Sequence, residues 1–229
     1  MVRVAIFVEG KTEVSFINQV VTPVLDSSKI QLVPQTLITS PGRRKGKVNK
    51  GGAVSFGRLK DDAPNTLNQQ SAPILSTFLD LYGLYTDFPG FEDAKKITDV
   101  YKRVDYLEDA LHRAIVEASG CRPERFIPHI QPYEFEGLLF SDVKALCTIE
   151  PEWDRYRKEL ARIRNDYETP EHINGNYETK PSKRLEETLA PKYDKPLHGK
   201  LAAEKITLAV IGKECRHFRQ WMEKLRGLA

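Results

Sequence analysis

The 229-residue chain is long enough for one α/β domain, with or without an appended helical segment. Its 40% hydrophobic content excludes a disordered chain, and no run approaches the ~18 apolar residues of a membrane span. A net charge of +3 does not by itself mark a nucleic-acid binder, so the distribution of charge matters more than its sum.

Val2 to Val8 form one apolar run of the kind buried on both faces of a parallel sheet. The run is too brief for a signal peptide and lacks a small-residue cleavage site, which makes a cytoplasmic location the expectation. Gly10 permits a sharp turn, and Thr12 is expected to cap a helix reaching Thr22 or Leu25. Val14, Ile17, Val21 and Val24 would form its inner face, and Pro23 would kink or end it. A second strand is expected within residues 32–39. After it come Arg43, Arg44, Lys45, Lys47, Lys50, Arg58 and Lys60 with no acid between them, among Gly46, Gly51, Gly52 and Gly57. That composition predicts a basic loop able to track a phosphate backbone, giving affinity without sequence information.

A short helix within 59–69, interrupted by Pro64, precedes a third buried strand at 73–80 that ends in Asp80. Residues 104–118 read as a helix and 126–131 as a fourth strand, with Pro128 suggesting an edge. Glu134 to Phe140 opens a further helix, 153–167 is an exposed charge-rich helix, and 169–181 is a polar loop. His198-Gly199-Lys200 reads as a flexible basic turn, and 201–228 is mostly helical with a break at Gly212. Strands alternating with helices imply an α/β fold, a parallel four-stranded sheet flanked by helices, with a core of about 1–148 and a helical C-terminal extension of about 149–229. Cys121, Cys147 and Cys215 are odd in number and scattered, which argues against a disulfide framework or a zinc ribbon. Cys215 is expected as a buried thiol beside a surface imidazole, His217.

Ligands of open parallel sheets bind beyond the carboxyl ends of the strands. Glu9 follows the first strand, Asp80 ends the third, and Glu134 and Glu136 follow the fourth; Glu13, one helical turn beyond Glu9, can point back to the same rim. Clustered carboxylates raise one another's pKa, and a hard divalent cation relieves the repulsion. On a regular helix Glu134 and Glu136 would point about 200° apart, so one of them is expected to dominate. Gly10-Lys11-Thr12 is not a P-loop, because Ala5 stands where the first glycine is required and Glu9 would place a negative charge in the cradle.

Val8-Glu9-Gly10-Lys11-Thr12-Glu13 resembles the first motif of Toprim domains, a strand ending in Glu-Gly with a second Glu four residues after the first. Phe78-Leu79-Asp80-Leu81-Tyr82-Gly83 is similar to the second motif, normally Asp-x-Asp, with Tyr82 in place of the second acid. Glu134-Phe135-Glu136 is similar to the later acidic element of the Toprim domains in overcoming-lysogenization-defect nucleases. The whole chain also resembles a stand-alone Toprim-like family of bacterial proteins often encoded beside AAA ATPases. That likeness runs through Phe88-Pro89-Gly90, residues 134–142, Pro181-Ser182-Lys183-Arg184-Leu185 and Cys215-x-His217-Phe218-x-x-Trp221.

The resemblance implies a Toprim-like (Rossmann-like) fold and a nuclease, an endonuclease or nickase, that uses Mg²⁺ or Mn²⁺ held by Glu9, Glu13, Asp80, Glu134 and Glu136. It further implies DNA ahead of RNA as target, a role in defence against phage or other foreign DNA, and an AAA ATPase as partner. Tyr82 leaves the number of metal ions open. Related nucleases also place a basic residue near the metals; Lys183 heads the candidates here, followed by Arg184, Lys195 and Lys200. Lys183, Arg184 and Lys200, with the basic loop, are the residues expected to meet phosphate. The alternative is a non-catalytic regulatory or interaction subunit of an ATPase complex. Oligomeric state stays open.

Overall fold

The computed structural model describes residues 1–37, 54–174 and 177–229. Its centre is a parallel sheet made of β1 (Val2–Val8), β2 (Ile30–Thr36), β3 (Ile74–Asp80), β4 (Phe126–Ile127) and β5 (Ile130–Gln131). The order is β2-β1-β3-β4, with β5 also paired to β3. The architecture is thus α/β and Rossmann-like, with helices on both faces and a helical C-terminal region. No helix among the described residues is long and apolar enough to cross a membrane.

The side-chain period of β1 divides the core in two. Val4, Ile6 and Val8 face one apolar cluster with Phe16, Ile17 and the C-terminal helices. Ala5 and Phe7 face the other, with Leu59, Leu75 and Leu79 and the inner face of a long helix. Both strand faces are covered, which is why the run is apolar throughout.

α1 (Lys11–Phe16) continues into a π-helical turn (Ile17–Val21) and a 3₁₀ turn (Thr22–Val24). The expected cap is corrected here. Gly10 is the N-cap and Thr12 lies buried in the first turn without capping. The π turn also re-phases the helix, so Phe16, Ile17, Val20 and Val21 are buried while Val24 is 49% exposed. The second strand lies at 30–36 rather than 32–39. α2 (Phe56–Leu67) starts earlier than expected, capped by Ser55, and holds Pro64 in its last turn without breaking. The single turn α3 (Phe91–Ala94) precedes α4 (Val100–Ser119).

The expected fourth strand is split into β4 and β5 at Pro128-His129. Proline has no N–H for the ladder, and β3 side chains make up the loss. Ser76 Oγ donates to Ile127 O at 2.7 Å, Thr77 Oγ1 donates to His129 O at 2.9 Å, and His129 N donates back to Thr77 Oγ1 at 2.8 Å.

Beyond β5 come a 3₁₀ segment (Phe135–Asp142), α5 (Val143–Leu146), α6 (Arg157–Asn165), α7 (Pro181–Thr188), α8 (Lys195–Ile206), α9 (Leu208–Glu214) and α10 (Arg216–Arg226). These pack onto β1 and α1 rather than standing apart. Phe16 meets Phe135 with ring centroids 4.9 Å apart, and Phe78 meets Trp221 at 5.2 Å. Trp221 Nε1 donates to Ser76 Oγ at 2.9 Å, which ties α10 to the central strand.

Four expectations for this region are corrected. The 153–167 segment is not simply exposed, because Trp153 and Leu160 are fully buried. The helical breaks fall at Thr207 (φ +76°) and Cys215, not at Gly212. His198 and Lys200 lie inside α8 rather than in a flexible turn, and His198 is buried with Nδ1 accepting from Asp194 N at 2.8 Å. His217 is not a surface imidazole. It is 4% exposed and its Nε2 meets Glu108 Oε1 at 2.8 Å. The polar loop after 169 supplies Glu171, whose carboxylate accepts from His217 N at 3.0 Å and Phe218 N at 2.9 Å. It thereby satisfies the open N–H groups at the start of α10, where negative charge is favoured.

Candidate metal centre

Parallel register brings the strand ends level. Val8 pairs with Phe78, so Glu9 emerges beside Leu79 and one residue short of Asp80. Glu9 Oε1 accepts from Asp80 N at 2.8 Å. Asp80 Oδ1 in turn accepts from Phe135 N at 2.8 Å, which draws in the acidic segment that follows β5. Tyr133 makes the reversal with φ +57°, a left-handed conformation that costs a non-glycine residue on the order of 1–2 kcal/mol. Tyr82 N donating to Tyr133 O at 3.1 Å helps to hold it there.

Glu134 and Glu136 both face the rim. Glu134 is the extended N-cap of the 3₁₀ segment (φ −146°, ψ 153°), so the helical angle between the two does not apply. Asp80, Glu134 and Glu136 each offer an oxygen, all within 4.8 Å of one another. Glu13 reaches back across Gly10, since a Cβ on that glycine would lie 3.3 Å from Glu13 Oε2. The five predicted acids therefore converge on one rim, Glu134 and Glu136 buried and the others partly open to solvent.

The electrostatics divide them. Burial, then the charges of Glu9, Glu13, Glu136 and Glu134, push Asp80 well above the ordinary carboxylate range. Burial likewise raises Glu9 to about 8, with Glu13 adding to it while the Asp80 N–H opposes it. Glu136 rises to about 7, mainly through burial against the pull of Lys195. The partial solvent access of Glu9 and Asp80 moderates these effects. Glu134 goes the other way. Burial works against its charge, but Lys195, Lys180 and Ser182 together lower its pKa. Lys180 Nζ stands 2.7 Å from Glu134 Oε1, and Lys195 Nζ stands 3.1 Å from Glu136 Oε1.

Among the described residues, of the basic residues singled out in the sequence, Lys195, at the start of α8, is the one that reaches the acids. Lys183 lies in the first turn of α7, as expected, but forms no hydrogen bond or ion pair among the described residues. Arg184 is committed internally, donating to Thr179 O at 2.6 Å and to Tyr167 Oη at 2.8 Å. Lys200 is half-buried on α8 and makes no ion pair among the described residues. Arg58 is exposed on α2 and pairs with Asp62 at 2.7 Å. Arg43, Arg44, Lys45, Lys47 and Lys50 lie outside the described residues. The described residues on either side of them are fixed at the rim, where Leu37 N donates to Val8 O at 3.0 Å and Val54 N to Gly83 O at 2.8 Å.

Sequence reasoning missed Lys180, Ser182 and Tyr193. Tyr193 is 3% exposed, and its hydroxyl has no hydrogen-bond partner among the described residues. It lies between the site's supports, since a Cβ on Gly199 would be 3.1 Å from both the Tyr193 hydroxyl and the Phe135 ring and 3.3 Å from Thr12. Burial and then the charges of Glu136, Glu134 and Glu13 raise its pKa well above the tyrosine range, so it stays a neutral donor. Tyr82, the departure from an acid, hydrogen-bonds Asn174. An all-oxygen donor set with uncompensated acids beside an orphaned buried hydroxyl fits a hard divalent ion. A second group, Glu108, His129 and His217, also brings its ligand atoms together. Those atoms are spent on one another and on Ile130 N, and the two rings stack 5.0 Å apart.

Gly83 gives a way to disturb the site alone. A Cβ there would overlap the Glu9 carboxylate, which is the flexible end of a side chain and can swing aside. If the rim holds Mn²⁺, Gly83→Ala is therefore expected to weaken that binding on the order of 10–100-fold, as loss of a ligand's support does, while leaving the melting temperature nearly unchanged. Calorimetric titration alongside thermal denaturation checks both halves.

Residues 8–226 match the family model described as domain of unknown function (DUF4276), and the chain belongs to that family. No curated protein and no solved structure matches the chain.

Proposed function

We propose that this member of the family is a divalent-cation-dependent phosphodiesterase acting on nucleic acid, with Glu9, Asp80 and Glu136 holding Mg²⁺ or Mn²⁺ and Glu13 completing the shell. The observation that carries the reading is the meeting of acids from three strand ends, with Glu9 and Asp80 left without an ion-pair partner among the described residues. Oxygen ligands that repel one another are costly to fold, and cation binding is the chemistry that offsets the cost. When bound, such a cation polarises a phosphoryl oxygen and lowers the pKa of attacking water.

The chain's own groups supply the rest. The Asp80 and Phe135 amides fix one oxygen each of Glu9 and Asp80, which aims the remaining oxygens into the centre. Lys195, its side chain 37% exposed, offers a positive charge to an incoming phosphate. The neutral Tyr193 hydroxyl can donate to an oxygen lodged among the acids. The basic segment before Val54 is flanked by residues anchored at this rim, which supports a phosphate-backbone partner. DNA ahead of RNA as substrate, an AAA ATPase as partner, defence against foreign DNA and a cytoplasmic setting belong to the same proposal through the Toprim resemblance.

The test is cleavage of supercoiled plasmid and of tRNA with Mg²⁺ or Mn²⁺. Wild type is expected to nick or cut, and Glu9→Gln and Asp80→Asn to lose on the order of 100-fold or more. If wild type stays inert alone and with the proposed AAA ATPase partner, the phosphodiesterase reading fails. One observation favours the regulatory alternative. Tyr82 braces the loop against Asn174 where an acid would extend the cluster. Absence of any carboxylate-dependent Mn²⁺ binding would decide for that alternative.

A further inference from the structure

Cation and anion are unevenly shared across the centre. Glu134 has both oxygens engaged. Its Oε1 receives Lys180 Nζ at 2.7 Å and lies 3.8 Å from Lys195 Nζ, and its Oε2 receives Ser182 N at 3.0 Å. Lys195 Nζ also stands 3.1 Å from Glu136 Oε1, so one ammonium bridges two carboxylates as a cation would. Glu9 and Asp80, by contrast, spend one oxygen each on a backbone amide and form no ion pair among the described residues. The orphaned, buried Tyr193 hydroxyl is a second, independent sign that the site is built around something further.

We propose that Lys195, with Lys180 behind it, stands where a second divalent ion would otherwise sit, so that each chain takes one divalent cation, on Glu9, Asp80 and Glu136. Glu134 is then not a metal ligand but the anchor that holds the two lysines. The inference rests on the metal-centre reading above and narrows it. A divalent ion placed on Glu134 would meet two ammonium groups within carboxylate-contact distance and would have to displace both, whereas an ion on Glu9, Asp80 and Glu136 meets one, Lys195 beside Glu136. The position of Tyr82 agrees, since the residue that would add an acid to the cluster is turned toward Asn174. A lysine bound to its neighbours by the fold also needs no recruitment from solution, so it keeps its charge beside the phosphate at low metal concentration.

The experiment is calorimetric titration of the full chain with Mn²⁺, together with the electron paramagnetic resonance spectrum of the loaded protein. Wild type is expected to bind one ion and to give a mononuclear spectrum. Lys195→Ala, and in stronger form Lys180→Ala/Lys195→Ala, is expected to bind two and to give a spin-coupled pair. Two ions on wild type would overturn the inference, and so would one ion on wild type and on both variants. Binding of none to any protein would instead overturn the metal centre itself, so the two failures are distinct. If the variants do not fold by circular dichroism, the wild-type spectrum decides alone, a mononuclear signal supporting the inference and a coupled pair overturning it.

Discussion

Replacing Glu9 with glutamine is expected to stabilise the metal-free protein at pH 8 while abolishing its response to Mg²⁺ or Mn²⁺. The Glu9 carboxyl titrates near 8 in the folded chain against 4.5 ordinarily, with burial as the first cause and Glu13 adding to it. Between those values the folded state holds a proton that the unfolded state has released. Stability with respect to this group therefore falls as pH rises from about 4.5 through 8. Glu136, raised to about 7, acts in the same direction over the lower part of that range. Glutamine carries no such charge, so the gap in melting temperature between Glu9→Gln and wild type should be widest at pH 8 and close toward pH 4.5. Saturating Mn²⁺ should reverse the order at pH 8, because it stabilises only the protein that binds it. Thermal denaturation across pH, with and without Mn²⁺, reads all of this. Equal melting temperatures for the two proteins at pH 8 without metal would show that the acids do not strain the fold. A site that gives up stability for chemistry is the usual cost of function.

The second large effect lies away from the rim. His217→Ala is expected to cost about 3–5 kcal/mol, the penalty for leaving one partner of a buried ion pair alone. Glu108 is 6% exposed and accepts from His217 Nε2 at 2.8 Å and from Ile130 N at 2.7 Å. Burial works against the charged His217 ring, but the hydrogen bond to Glu108 and the charges of Glu108, Glu171 and Asp105 raise its pKa above the ordinary value. The contribution is therefore complete below the unfolded histidine pKa of about 6.5 and is lost as pH rises through the raised folded value. The stacked His129 is neutral, since burial and then His217 hold its pKa well below the ordinary value. Urea denaturation of wild type and variant at pH 6 and at alkaline pH checks the size and the sign. A loss under 1 kcal/mol at pH 6 would contradict it. The same contact ties α10 to α4, so the variant should loosen the C-terminal helix first, visible as faster amide exchange at Phe218 and Trp221.

The parts legible in the sequence share one property: a local pattern that physics reads alone. β1 is apolar on both faces and is followed by an acid, and β3 is mostly apolar and ends in one, so Glu9 and Asp80 mark both the sheet and its rim. Pro128 announced an edge, though not that Thr77 and Ser76 would stand in for the missing ladder and split the strand. What failed to show depends on distant residues. Glu134 and Glu136 look like helical neighbours on opposite faces until Tyr133 and the Asp80–Phe135 hydrogen bond hold Glu134 extended. Lys180, Ser182 and Tyr193 reach the acids only because the C-terminal helices fold back onto α1, and nothing within the 177–195 segment points to that return. Lys183 and Arg184 do lie at a helix start, as their Pro-Ser context predicts, yet it is Lys180, just before that helix, that turns inward. His217 read as a surface imidazole because its partner, Glu108, lies over a hundred residues earlier. Thr207 adopts a positive φ that a β-branched residue seldom takes, so the helical break fell there rather than at the more obvious Gly212.

The most direct test of the centre is anomalous diffraction from crystals soaked in Mn²⁺. A single manganese peak in direct contact with carboxylate oxygens of Glu9, Asp80 and Glu136, absent from Asp80→Asn crystals, is the expected result. A peak elsewhere, or none while Lys195 and Lys180 fill the recess between the acids, would contradict it.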